Sequence, residues 1–226
     1  MRQQYVIPPE QNAEFVADME NVLDIYHQPF DPKHPVICMD EQPIQLIKET
    51  RIPKPAKPGR PECIDYEYER NGTANIFLFT EPLTGWRQVI VTERRTAIDW
   101  AQVIQHLLTE EYGDCESITL VCDQLNTHKY SSLYKAFEPS TARSLAKRVQ
   151  IHHTPKHGSW LNIAENELSA LTRQCLDRRL PDRDTLERET TAWYVNRNQK
   201  QKSVDWQFTT EDARLHLKRL YPKISL

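Results

Sequence analysis

Two apolar runs, VICM at 36–39 and SITLVC at 117–122, each end on an aspartate, Asp40 and Asp123. A run without polar alternation reads as a strand buried on both faces. Such a strand must be covered by helices on either side. The rest of the chain supplies them. Residues 10–26 place Phe15, Met19, Val22, Leu23 and Tyr26 on one helical stripe, and residues 97–112 do the same with Ile98, Ala101, Ile104 and Leu108. Helical segments follow at 131–148, from Leu161, near 184–197 and near 210–220, with a short strand at VQIHH, 149–153. YEYER and TANIFLFT read as a hairpin turned at Asn71-Gly72, and WRQVIVTER as the next antiparallel strand after Leu83-Thr84-Gly85. The expectation is an α/β domain: a mixed sheet with helices on its faces.

Composition removes the competing classes. With 38% hydrophobic and 27% charged residues the chain is globular. No apolar run approaches the roughly 20 residues of a membrane helix, so no membrane partner is expected. The start, MRQQYVIPPE, has no signal-peptide core, and five cysteines without C-x-x-C spacing fit reduced thiols. A cytoplasmic location is therefore expected.

The two aspartates carry the chemistry. An acid after a strand is also an ordinary turn residue, but each lies in a polar cluster. CMDE puts Glu41 beside Asp40, and CDQLNTHK puts Asn126, Thr127, His128 and Lys129 just after Asp123. A helix beginning within LNIAENELSAL offers a third carboxylate, Glu165 or Glu167. Three carboxylates in one cleft repel unless cations lie between them. Oxygen ligands suit a hard ion such as Mg²⁺. Two such ions, about 4 Å apart, would clamp the attacking and leaving oxygens of a phosphoryl transfer. The helical wheel leaves the third acid open, because Glu165 and Glu167 lie about 80° to either side of the apolar stripe.

VICMDE, VCDQLNTHK, HHTPKHGSWLNIAENELS and DWQFTTEDARLHLKRLYP together resemble the catalytic region of bacterial insertion-sequence DDE transposases of the mariner superfamily. The resemblance runs from about residue 6 to the C-terminus. It implies an RNase H-like fold, a mixed five-stranded sheet flanked by helices, and bacterial origin. It also implies cleavage of DNA at transposon ends and strand transfer into target DNA, with Mg²⁺ or Mn²⁺ as cofactor. By motif, the metal-binding and catalytic acids are Asp40, Asp123 and Glu165, with Glu167 the alternative. Two departures stand out: 41 residues separate Asp123 from Glu165, more than is usual in eukaryotic relatives, and Ile163 stands where the family has proline. Asn126 reads as a residue supporting the acids, His128 as supporting them or DNA-facing, and Lys129, Lys156 and His157 as DNA-facing.

The net charge of −3 hides a segregation, since 48–60, KETRIPKPAKPGR, carries five bases and one acid. Lys48, Arg51, Lys54, Lys57 and Arg60 recur every third residue among prolines. In polyproline II, with three residues per turn, they would form one ridge about 9 Å apart. The position matches the family's extended arm, which implies contact with DNA and with a second copy in a homodimer. The expected organisation is a helical lead-in at 1–33 and a catalytic domain at 34–226, with the arm inserted at 48–66. The family's N-terminal helix-turn-helix region is not expected in this chain. The first helix carries Glu10, Glu14, Asp18, Glu20 and Asp24 without a base, which suits a phosphate backbone poorly. The chain thus reads as a fragment or a split-frame product. Other readings are a non-catalytic DNA-binding or assembly subunit, a decayed copy, or another RNase H-like nuclease.

Overall fold

The computed structural model describes residues 10–223. The N-terminal stretch read as lacking a signal peptide lies largely outside them. No helix of the described residues is long and apolar enough to cross a membrane.

Helix α1 (Ala13–Tyr26) is capped by the Asn12 side chain, which accepts from the Phe15 N–H at 2.9 Å. Strands β1 (Val36–Glu49), β2 (Tyr68–Glu81) and β3 (Trp86–Thr92) form an antiparallel meander. Helix α2 (Ala97–His106) opens on a Thr96–Asp99 capping box and runs on through one wide turn to Glu111. Strand β4 (Ile118–Cys122) follows, then α3 (Tyr130–Ala136), α4 (Pro139–Arg148) and β5 (Val149–His153). The chain ends in α5 (Ile163–Leu171), α6 (Arg183–Gln199) and α7 (Thr210–His216). The sheet order is β3-β2-β1-β4-β5, with β1, β4 and β5 parallel.

Alternation along the strands divides the core in two. Cys38, Ile44 and Leu46 of β1, with Ala74, Ile76 and Leu78 of β2, face α1 and α5. Ile37, Met39, Phe77 and Phe79 face Trp100, Val103, Ile104 and Leu107 of α2 and its extension. Every residue of β4 is buried, as a doubly covered strand requires. Helix α1 belongs to the first cluster with Phe15, Met19, Val22 and Leu23, and its Tyr26 hydroxyl donates to the Leu161 carbonyl at 2.7 Å.

Four local expectations change. Strand β1 does not stop at Asp40. Only Val36, Ile37 and Cys38 pair with β4, and beyond them β1 continues on β2 alone. Its other edge is open there, which is why Pro43, lacking an N–H, is tolerated. The hairpin at Asn71-Gly72 does not form. These residues lie inside β2, where the register steps from Gln45↔Thr73 to Ile47↔Arg70, and Gly72 has φ +84°. An Asn-Gly pair suits any left-handed backbone, and here it makes a bulge. The runs that read as six strands are thus five. Ile98 is exposed, and Trp100 takes its place in the α2 stripe. Finally, 131–148 is two helices, because Pro139 starts a new one.

Gly85 closes the β2–β3 turn at φ +72°, and a Cβ there would meet backbone atoms of Lys202 and Ser203 at 2.8 Å. Around Gly72 a Cβ would meet nothing within 4 Å. Gly72→Ala should therefore cost only backbone strain, about 1–2 kcal/mol. Gly85→Ala should cost roughly 3 kcal/mol or more, because overpacking adds to the strain. Urea unfolding of the two variants checks the order.

Candidate active site

The cleft opens where β1 and β4 part. Asp40 lies two residues beyond the last β1–β4 pair, Cys38↔Val121, and Asp123 follows the last residue of β4. Helix α5 crosses this point. Its N-cap, Asn162, is 2% exposed. The Asn162 Oδ1 accepts from the Ala164 N–H at 3.1 Å, and its Nδ2 donates to the Met39 carbonyl at 3.0 Å. One side chain therefore fixes the start of α5 against the residue before Asp40. Glu165, in the first turn of α5, lines an open cleft together with Asp40, Glu41 and Gln42. Its Oε2 is buried with no hydrogen-bond partner among the described residues.

Burial pushes the Asp40 carboxyl up to about 7, and the nearby charges of Asp123, Glu41 and Glu165 add to the rise. The Glu41 N–H, donating to Asp40 Oδ1 at 2.8 Å, offsets only part of it. Mutually repelling carboxylates with an orphaned oxygen are the donor set that a hard divalent cation fits.

Glu41 points to the other face. His128, fully buried, lies between it and Asp123, with Nε2 3.1 Å from Glu41 Oε2 and Nδ1 2.8 Å from Asp123 Oδ1. Burial alone would lower the imidazole, but Asp123, Cys122 and Glu41 raise it to about 12. The Trp100 ring packs 5.9 Å away. Glu41, Asp123 and His128 could also each turn one ligand atom to a common point. His128 thus holds Asp123 in place from the buried side and is not exposed to face DNA. Asp123 titrates low: burial opposes this, and the bond to His128 outweighs it.

Glu167 has a different partner set. Arg87 of β3, 1% exposed, reaches it with Nε at 2.6 Å and Nη2 at 3.0 Å, and Arg197 of α6 adds Nη2 at 2.9 Å. Burial works against the Glu167 charge, but Arg87 and Arg197 hold the carboxyl below 4.5. Two residues apart on one helix, Glu165 lines the cleft and Glu167 neutralises a buried guanidinium.

The remaining candidates are spread out. Asn126 is exposed in the loop after β4, as are Lys129, Lys156 and His157 in theirs, and His157 has φ +65°. Lys48 lies within β1, opposite Glu69. Arg51, Lys54, Lys57 and Arg60 are exposed on an excursion that folds back on itself, with bridges Lys54↔Cys63 and Lys57↔Arg60 and an Arg51–Asp65 ion pair at 3.1 Å. The arm is a hairpin, not a polyproline ridge, because Gly59 at φ +76° reverses the chain. Nor is the acid of α1 unpaired. Glu20 holds Arg214 with two contacts of 2.9 Å, so that arginine is not free for phosphate. Asn162, Arg87 and Arg197 had no assigned place in the sequence, and Glu41 stood there only as the neighbour of Asp40. Of these only Asn162 carried a readable local signal, an N-cap residue before an apolar helix.

Residues 35–187, about two thirds of the chain, match the family model described as DDE superfamily endonuclease. The chain belongs to that family. No curated protein sequence matches it. Among solved structures, the catalytic domain of Mos1 mariner transposase aligns with a TM-score of 0.53 at 12% identity, over 87% of this chain and 92% of that one. The Mos1 strand transfer complex aligns at 0.55 and 13%, over 89% and 62%. The Mos1 mariner paired-end complex with Mn aligns at 0.54 and 15%, over 87% of this chain but only 59% of the Mos1 chain. At these identities the likeness establishes the fold: the RNase H-like catalytic-domain fold of the transposase.

Glu167→Gln should strand the Arg87 guanidinium and lower stability by about 3 kcal/mol or more. The folded carboxyl titrates below 4.5. Its contribution is therefore complete above that pH and drains as pH falls through the folded value. Thermal melts at pH 7 and below 4 should show the variant's deficit shrinking with acid. Glu165→Gln, at the open cleft, should melt near the wild-type temperature.

Proposed function

We propose that Asp40, Asp123 and Glu165 hold divalent metal and that the chain cuts and joins DNA as a transposase catalytic domain. The observation that carries this reading is the meeting of Asp40 and Glu165 in one cleft beside Asp123, with burial and then like charge raising Asp40. Two Mg²⁺ or Mn²⁺ ions would there activate an attacking oxygen and stabilise the leaving oxygen of a phosphodiester. The chain's own part is placement. Asn162 sets the approach of α5 to β1. His128 holds the Asp123 carboxylate and keeps it ionised.

Lys129, Lys156 and His157 border this end of the sheet and would contact phosphates. The hairpin arm bears Arg51, Lys54, Lys57 and Arg60 beside exposed Ile52, Ile64 and Tyr66. Bases next to apolar surface suit an element that touches DNA and a second copy of the chain, so a homodimer is the proposed assembly. Asn126, exposed after β4, would act near the acids only once DNA or metal is bound. The catalytic unit would comprise 34–226, with 48–66 as the arm and 1–33 as the lead-in. Cytoplasmic action in a bacterium completes the proposal.

Nicking of supercoiled plasmid in Mn²⁺ tests it. The wild type should nick, and Asp40→Asn, Asp123→Asn and Glu165→Gln should each lose the activity. Absence of nicking by the wild type would favour a non-catalytic subunit, and preference for an RNA–DNA hybrid another RNase H-like nuclease.

A second measurement needs no turnover. The Asp40 carboxyl titrates near 7 when folded, against 3.8 ordinarily. Its ionised form is destabilising, and the penalty grows as pH rises through that interval. In EDTA at pH 8, Asp40→Asn should melt higher than wild type. Added Mn²⁺ should raise the wild-type melting temperature by linkage and leave the variant nearly unmoved.

A further inference from the structure

Helix α6 is not amphipathic in the ordinary sense. Only Leu186 and Thr190, in its first half, are fully buried. Its second half forms one wall of a wide polar trough of about 680 Å³, whose opposite wall is the turn after α5. Glu189, Trp193, Asn196, Arg197 and Lys200 recur at helical spacing along that wall, and Arg173, Arg178 and Lys202 add to the lining.

Charge in the trough is unevenly spoken for. Arg178 pairs with Glu189, and Arg197 is committed to Glu167. Arg173, Lys200 and Lys202 have no carboxylate partner among the described residues, and Asp177 at the rim is the one acid set against them. The floor is rigid. The Arg197 guanidinium lies 5.0 Å from the Trp193 ring centre, and Trp193 Nε1 donates to Gln174 Oε1 at 2.9 Å. Arg173 lines both this trough and the cleft of Asp40 and Glu165, so the two adjoin at that residue.

We infer that the α6 trough is a track for a DNA sugar–phosphate backbone leading into the acid cleft, with Arg173, Lys200 and Lys202 as its phosphate contacts. The dimensions agree. From Glu189 to Lys200 the helix runs about 16 Å, the axial length of about five nucleotides of one strand at 3.4 Å each. Unpaired cations over a fixed aromatic floor bind a polyanion without reading its sequence. The inference rests on the reading of the acid cleft as a DNA site.

The test is fluorescence anisotropy in EDTA with a labelled 20-bp duplex of arbitrary sequence and the matching 20-nucleotide single strand, over a KCl series. The triple variant Arg173→Gln, Lys200→Gln, Lys202→Gln is compared with a charge-matched control, Lys135→Gln, Arg143→Gln, Lys147→Gln, on α3 and α4. The trough variant should weaken binding about tenfold more than the control. Its salt slope should fall by about 2–3, since each lost phosphate contact removes roughly 0.9 for duplex and 0.7 for single strand. A loss confined to one probe assigns the track to that form, and a loss in both assigns it to the backbone they share. Equal effects of the trough and control variants on both probes would overturn the inference. All three proteins are melted, so that a misfolded variant is replaced by its single substitutions. Plasmid nicking by the wild type is scored separately. Nicking without a trough effect removes the track alone, and a trough effect without nicking removes the phosphoryl-transfer reading while the track stands.

Discussion

The contact between Arg87 and Glu167 fixes the geometry of the cleft. A guanidinium that is 1% exposed would be untenable alone. It is satisfied by Glu167, by the Gly85 carbonyl and by the Lys202 carbonyl. Those partners come from α5, from the β2–β3 turn and from the segment after α6. Asn198 adds two bonds to the Arg87 backbone, at 2.9 and 2.7 Å. One buried charge thus ties the edge strand to two helices. With Asn162 holding the other end of α5 to β1, the helix that carries Glu165 is pinned at both flanks. A buried ion pair adds little net stability over an apolar substitute. Its value here is that only one orientation of α5 satisfies it.

That orientation is needed because the cleft works against folding. Asp40 is pushed toward neutrality by burial and by its acidic neighbours, which makes its ionised form a local penalty. The surrounding structure over-determines the position. Asp40 is held by β1 pairing to β2 on one side and by the Asn162–Met39 bond on the other. Asp123 is treated differently: the buried His128 cation stabilises its charge. The site therefore contains one acid that stays ionised in the metal-free protein and one that titrates near neutrality.

Much of this was legible in the chain. The apolar runs at 36–39 and 117–122 gave the central strands, and all five residues of the α1 stripe are buried, with Val16 and Ile25 added to them. The misreadings share a cause, which is that local chemistry is compatible with more than one tertiary context. Asn71-Gly72 permits a left-handed backbone, and whether it makes a turn or a bulge depends on the 45–47 segment opposite. The prolines of the arm permit polyproline II, but Gly59 reverses the chain within it. His128 looks polar and surface-seeking until Glu41, 87 residues earlier, supplies its second carboxylate. Nothing near Arg87 in sequence announces that it is buried, since Glu167 and Asn198, which hold it, lie 80 and 111 residues away.

Glu165 and Glu167 make the same point at closest range. Both are glutamates in the first turns of one helix, equally placed about its apolar stripe. The wheel cannot separate them, because it describes one helix and the difference lies in what surrounds it. On one flank β3 presents a cation, and a carboxylate there is consumed in neutralising it. On the other flank β1 and β4 diverge and present mainly carboxylates, and Glu165 there keeps an oxygen with no partner among the described residues. A guanidinium donates hydrogen bonds and leaves no room for a metal, whereas a cluster of acids accumulates negative charge that a proton or a metal cation relieves. The assignment of roles to the two glutamates thus follows from the sign of the field on each side of α5, and that sign is set by Arg87 and Arg197 on one side and by Asp40 and Asp123 on the other.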